Sequence, residues 1–381
     1  MRTVSPLGSF SLLCVACLTI MVGCVSVPGL PDVARELGVA NASSWLVTIP
    51  SMGVVVFGPF VGRLISIVGA RKALVGGLVL YGAFGSSCVW LEGHAAVFLN
   101  RFLLGGATAI VMAAGTTLIS DLFDGEARLK MIAKQGMAIE LGGVIFLAIG
   151  GVLATIGWSK PFLLYLMAWL LIPMVIAFIP ADTNDADDEV AEATSSSPGI
   201  SGMKDVLTAA ALSMVAFFAG VILLPGKLAG LGMDPAETGY FLSFVSLVAV
   251  GAAFAMPRVT SRIGASATLT LAFVLYAGAH AMFFAVGSLP PLLIGAVCLG
   301  AGFGFSVPLV NHLTIERTSA TERARMLGYL SSAIFLGQFL SALIELAPVA
   351  QNTTFLLALA IAIGAIAIVK GMESTPKLPA T

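Results

Sequence analysis

Twelve stretches of mostly apolar residues run along the chain. The first six lie near 8–29, 43–65, 73–91, 95–120, 131–156 and 161–179, the second six near 206–229, 237–256, 267–287, 290–313, 325–346 and 353–372. Each holds about 20 residues, the length an α-helix needs to cross a hydrocarbon core. The pattern predicts an all-α membrane protein of twelve transmembrane helices. Between the two sets lies a polar segment with six carboxylates from Asp182 to Glu192, followed by Ser, Pro and Gly. Such a segment buries too little apolar surface to fold alone. The expected organisation is a six-helix half over 1–180, an acidic cytoplasmic linker over 181–204 and a second six-helix half over 205–381.

Orientation follows from the positive residues, because Lys- and Arg-rich loops stay cytoplasmic. With the N-terminus inside, fifteen Lys and Arg residues fall on the inner side and three, Arg35, Lys160 and Lys227, on the outer side. Both termini are therefore expected in the cytoplasm of a multi-pass inner (plasma) membrane protein. Trp45, Trp90 and Trp158 fall at expected outer helix ends, where amphipathic rings favour the headgroup level. The first apolar run is too long for a signal-peptide core and is followed by Pro28-Gly-Leu-Pro-Asp32, so it is expected to remain as a helix.

Composition sharpens this picture. The chain is 58% apolar and 10% charged, with a mean hydropathy of +1.02, which leaves no room for a sizeable soluble domain. A net charge of −1 provides no basic surface, which excludes nucleic acid as a partner. All five cysteines lie in apolar runs, where a thiol behaves as a small hydrophobe. Cys14 and Cys17 read C-x-x-C but lack the second ligand pair that zinc requires. No H-E-x-x-H or other metal-ligand spacing occurs, so neither a metal nor a cofactor is expected.

The two halves repeat each other at a constant offset of 195. Gly62 to Ala70 aligns with Pro257 to Ala265, sharing Arg63 with Arg258, Ser66 with Ser261 and Gly69 with Gly264. Arg128-Leu-Lys-Met131 aligns with Arg323-Ala-Arg-Met326, and Gly105 with Gly300. Two parallel six-helix repeats are a transporter construction, with substrate held near the bilayer midplane where they meet.

Several short motifs stand on this frame. The segment after the second span reads Gly62-x-Leu64-x-Ser66-x-x-Gly69-Ala70-Arg71-Lys72. Its glycines permit a tight turn, and Arg71 and Lys72 can cap helix-end carbonyls or pair with a carboxylate such as Asp121. With Arg258 and Gly264 in the second half, these residues make a candidate inner gate. The fourth span carries Arg101-Phe-Leu-Leu-Gly105 and then Asp121-Leu-Phe-Asp-Gly-Glu-Ala-Arg128. The first span ends Pro28-Gly-Leu-Pro31, and the fifth carries Gly142, Gly143, Phe146, Leu147, Gly150 and Gly151.

In these segments the chain resembles the major facilitator superfamily, closest to its bacterial drug:proton antiporter branch, over essentially its whole length. Ser66 stands where that family's loop has Asp, so one charged partner of an inner latch is missing. Phe146-Leu147 stands where the antiporter signature has Gly-Pro. The resemblance implies the twelve-helix, two-half fold and proton-coupled multidrug efflux by a chain working as a monomer. Its partners would be protons, a small-molecule substrate and the lipid bilayer.

Two ionisable residues sit deep. Arg101 lies about 9 Å into its span at the helical rise, and an arginine within a span normally faces a cavity or a partner. Glu140, about 24 Å from the outer end of its span, is the deepest carboxyl. It shares a stripe with Gly136, Gly143, Leu147 and Gly151. Removal from water favours the neutral form of a carboxyl, which suits a group that binds and releases a proton. Glu140 and Arg101 are thus the candidate proton-coupling pair, with depths about 15 Å apart. Pro28, Asp32, Lys227 and Glu345 lie near the outer ends as possible cavity residues.

The expected function is secondary active transport, as proton-coupled efflux of a small apolar or amphipathic compound by alternating access. An uptake symporter or uniporter is the alternative within transport. A membrane-embedded enzyme or assembly factor is the alternative outside it, but no Ser/His/Asp set or phosphate loop supports one. The charge asymmetry makes the topology testable. Ser195→Cys, in a chain with its native cysteines replaced, should resist an impermeant thiol reagent in intact cells, and labelling there would overturn the orientation.

Overall fold

In a computed structural model, the structure describes residues 5–180, 203–285, 287–319, 322–347 and 351–373. The linker expected over 181–204 therefore lies almost wholly outside the described residues. Among the described residues the regular elements are all helical: α1 (Pro6–Cys24), α2 (Leu30–Glu36), α3 (Trp45–Val68), α4 (Ala70–Ser87), α5 (His94–Leu122), α6 (Gly125–Ile156), α7 (Met167–Phe178), α8 (Lys204–Gly230), α9 (Pro235–Ile263), α10 (Ala265–Ala285), α11 (Leu289–Glu316), α12 (Arg323–Ser341) and α13 (Thr354–Glu373), with short 3₁₀ segments between some of them. Eleven of the helical segments are long and apolar enough to cross a membrane, and Thr354–Lys370 is a shorter apolar helix. Each of the twelve apolar runs thus appears as a helix.

The helix ends follow local chemistry. The first helix stops at Cys24 rather than near residue 29, because Pro28 and Pro31 flank a turn from which the short α2 departs. The sixth apolar run opens as the 3₁₀ segment Lys160–Leu166 and becomes α-helical only from Met167. Gly69 and Gly264 carry φ of 87° and 86°, a region that glycine enters without steric cost, and each joins two long helices with a single residue.

The chain divides into two compact units, Met1–Ser196 with Pro235–Tyr240, and Ser197–Asp234 with Phe241–Thr381. The repeat offset persists in the helix bounds. Val68 and Ile263 end equivalent helices, Ala70 and Ala265 begin equivalent helices, and so do His94 and Leu289, each pair 195 positions apart.

The same register governs packing. In the first unit a Cβ on Gly105 would collide with the Pro50 carbonyl, so α5 lies against α3 backbone to backbone. In the second unit a Cβ on Gly300 would collide with the Val245 carbonyl, the position 195 residues after Pro50, where α11 lies on α9. Within a bilayer, helix association rests on close packing of this kind rather than on expulsion of water. Beside these seams, Tyr81 of α4 and Tyr276 of α10, also 195 apart, are fully buried. Tyr81 donates to the Leu18 carbonyl of α1 at 2.6 Å, and Tyr276 pairs with Ser306 of α11 at 3.0 Å.

Gly105→Ala and Gly300→Ala should each destabilise the protein by about 1–3 kcal/mol, the usual effect of forcing extra atoms into a packed site. Gly76→Ala, where nothing lies within 4 Å of an added Cβ, should be neutral or stabilising. Melting of the detergent-solubilised variants checks this, and equal behaviour of all three would contradict the seams.

Candidate functional site

Arg101 projects from α5 into the interior of the first unit and is 1% exposed. One terminal nitrogen donates to the Tyr165 hydroxyl at 3.3 Å and the other to the Gly85 carbonyl at 3.4 Å. Its guanidinium lies over the rings of Phe162 and Tyr165, 5.1 and 5.5 Å from their centroids. Nε has no hydrogen-bond partner, and no carboxylate pairs with this side chain among the described residues. Two neutral oxygens and two aromatic faces therefore carry the cation, with cation–π attraction strongest where water is excluded.

The pocket exists because small residues vacate it. A Cβ on Gly85 would overlap the Tyr165 ring, and one on Gly82 would overlap the Trp169 indole, whose Nε1 donates to the Val79 carbonyl at 3.1 Å. The Tyr165 hydroxyl in turn donates to the Val22 carbonyl of α1 at 3.3 Å. Arg101, Tyr165 and Val22 thus link α5, the 160–166 segment and α1.

Glu140 stands half-way along the 32-residue α6 and is half-buried. It makes no hydrogen bond or ion pair among the described residues; the Cys24 thiol of α1 lies within its electrostatic reach. The stripe around it is unevenly filled. A Cβ on Gly136 would meet nothing within 4 Å, whereas one on Gly151 would meet the Pro235 carbonyl and Gly239 at the start of α9, in a stretch that belongs to the first unit. Phe146 and Leu147 are 4% and 3% exposed, and Gly143 is buried. Gly142 lies against Cys17 and Ile20, and Gly150 against the Val25 carbonyl, which sets α6 along α1.

The inner-loop residues are partly engaged. Arg71 donates to the Ile176 carbonyl and so caps the last turn of α7, where a cation also suits the helix dipole. Ser66 and Ser261 turn back to the carbonyls of Arg63 and Arg258, at 2.8 and 2.9 Å, the same contact in both repeats. Gly62, Lys72, Asp121 and Arg258 are exposed. At the opposite ends, Pro28 is buried in the turn before α2, and Asp32 pairs with Arg35 on the surface at 2.9 Å. Lys227 donates to the Asn352 side chain at 2.9 Å and lies over Phe355. Glu345, half-buried, follows the 3₁₀ turn after α12.

Two polar residues escaped the sequence reading. Tyr165 sat inside an apolar run with nothing to mark it. His280, fully buried in the second unit, bonds through Nε2 to the Ala216 carbonyl of α8 at 2.8 Å, with Phe283 and Phe355 around its ring. The repeat register holds the signal, since His280 stands 195 positions after Gly85. Glycine makes room for a tyrosine in the first unit, and histidine fills the equivalent position in the second. Among the described residues no group of three His, Cys, Asp or Glu side chains could hold a metal ion.

The sequence profile of the Major Facilitator Superfamily matches residues 12–342 and 206–377. The multidrug transporter protein MdtP of Bacillus subtilis is 27% identical over 149 residues, which cover 39% of this chain and 28% of that protein. The matched stretch thus spans under a third of that relative's length. The uncharacterized transporter YycB of Bacillus subtilis is 27% identical over 330 residues, 81% of this chain and 79% of the relative. A solved D-xylose–proton symporter superimposes with a TM-score of 0.76 at 16% identity, over 94% of this chain and 97% of the other. At that identity the likeness shows the fold.

Tyr165→Phe removes both the acceptor for Arg101 and the donor to Val22. It should cost about 1–3 kcal/mol of stability, the range for a buried polar group left unsatisfied. Unchanged melting would mean that the guanidinium does not depend on this hydroxyl.

Proposed function

Since the chain belongs to the major facilitator superfamily and is a transporter rather than an enzyme, we propose that it exports a small amphipathic compound in exchange for protons, with Glu140 as the proton-carrying group. The observation that carries this reading is the position of Glu140. A carboxyl half-way along a spanning helix has little reason to persist without a partner, yet Glu140 has no hydrogen bond or ion pair among the described residues. A structural acid would be tied to a neighbouring helix. An acid that exchanges its proton as water or a cation reaches it is left free.

In this account the two halves rock about a central site, as the repeat construction permits. Arg101 acts through packing, since Tyr165, Phe162 and the Gly85 carbonyl enclose it and its exposure is 1%; through Tyr165 it holds the 160–166 segment and α1 in register. Arg71, capping α7, and the paired glycine turns at Gly69 and Gly264 form the inner gate. The local similarity to MdtP supports the multidrug substrate class. The protein would work as a monomer in the inner membrane, with both termini cytoplasmic.

Uptake by symport is the second reading. Phe146-Leu147 in place of Gly-Pro favours it, as both side chains are buried where a helix break would otherwise lie.

Glu140→Gln keeps the shape of the protonated side chain and removes the exchangeable proton. In proteoliposomes, the variant should bind those amphipathic dyes that the wild type moves while losing uphill flux driven by a pH gradient. Wild-type flux at matched expression would overturn the assignment.

A further inference from the structure

Cys14 and Cys17 play no part in the account above. They lie one turn apart on the same face of α1, and both are free and half-buried, whereas Cys24 and Cys88 are enclosed. Leu7 and Phe10, on the preceding turns, are 51% and 55% exposed, so this face is open toward the start of the helix. The two thiols are close enough to influence each other electrostatically. The Cys17 Sγ donates to the Ala138 carbonyl of α6 at 3.1 Å, and a Cβ on Gly142 would lie 3.2 Å from the Cys17 Cβ. This thiol therefore sits at the contact between α1 and α6, and the Ala138 carbonyl it meets is two residues before Glu140.

Geometry selects what such a pair takes up. Side chains three apart on a helix have Cβ atoms about 5–6 Å apart, whereas a disulfide wants about 3.5–4.5 Å. Direct oxidation would therefore distort α1. One atom bonded to both sulfurs spans the wider gap, because each bond to a thiophilic centre adds roughly 2.3 Å. No third His, Cys, Asp or Glu completes a metal site among the described residues, so the centre must be satisfied by two thiolates and a group of its own.

We propose that Cys14 and Cys17 form a chelating dithiol for trivalent organoarsenicals at the α1–α6 contact. An arsenoxide, R–As=O, meets the two thiols. Each S–H loses its proton, two As–S bonds form, and the As=O oxygen leaves with both protons as water. Arsenic stays trivalent, so no electron is transferred. The adduct takes away the Cys17 donor to Ala138 and places a bulky group at that helix contact.

Intact-mass measurement of the purified full-length protein with phenylarsine oxide tests this. One adduct per chain is expected, reversed by 2,3-dimercaptopropanol and resistant to 2-mercaptoethanol. It should vanish in Cys14→Ser and Cys17→Ser, each also prepared as Ala so that a folded form of either position decides, and persist in Cys298→Ser. No adduct on the wild type, or its retention when Cys14 or Cys17 is replaced, overturns the proposal. The readout is independent of transport, so it stands or falls apart from the role of Glu140.

Discussion

A bilayer gives helices no hydrophobic reason to associate, and everything else in this chain depends on how that is met. Each unit has a glycine pressed onto a neighbouring helix's carbonyl, Gly105 on Pro50 and Gly300 on Val245. Side chains larger than hydrogen would separate the backbones and forfeit the dispersion contacts that hold helices together in lipid. Because both contacts fall in one register, the duplicated sequence retains the packing rule even where the side chains around it have diverged.

That divergence matters most for polar groups. Lipid offers no hydrogen bonds, so each buried donor must find a partner within the protein. Tyr81, Tyr276 and His280 each do so by reaching an atom on another helix. Arg101 is the costlier case, a buried cation held by two neutral oxygens and two rings. Glu140, half-way along α6, makes no hydrogen bond or ion pair among the described residues, and the proposed proton exchange rests on this more than on depth alone.

The sequence made the helices legible because their apolar runs match the thickness of a membrane, and the repeat because Arg, Ser and Gly recur after the second and eighth spans. The break between Cys24 and Leu30 was written in Pro28 and Pro31, yet run length alone carried the first helix past it. The 3₁₀ opening at Lys160–Leu166 was invisible, since apolar residues suit either helix and the choice is made by packing around Phe162 and Tyr165. For the same reason Arg101 was legible as a deep charge while its partners were not. A tyrosine and a carbonyl exposed by a glycine leave no pattern in composition or spacing. Arg71 was read as a helix-end cap or a carboxylate partner, and in the structure it caps α7.

The account turns on a proton crossing the membrane against the substrate. The most direct measurement follows the lumenal pH of proteoliposomes, with no gradient imposed, while an amphipathic substrate is driven inward by its own concentration. Exchange predicts that the lumen turns alkaline as substrate enters, at a rate that tracks the flux and is abolished in vesicles without protein. Substrate entry at constant lumenal pH, or with acidification, would contradict it.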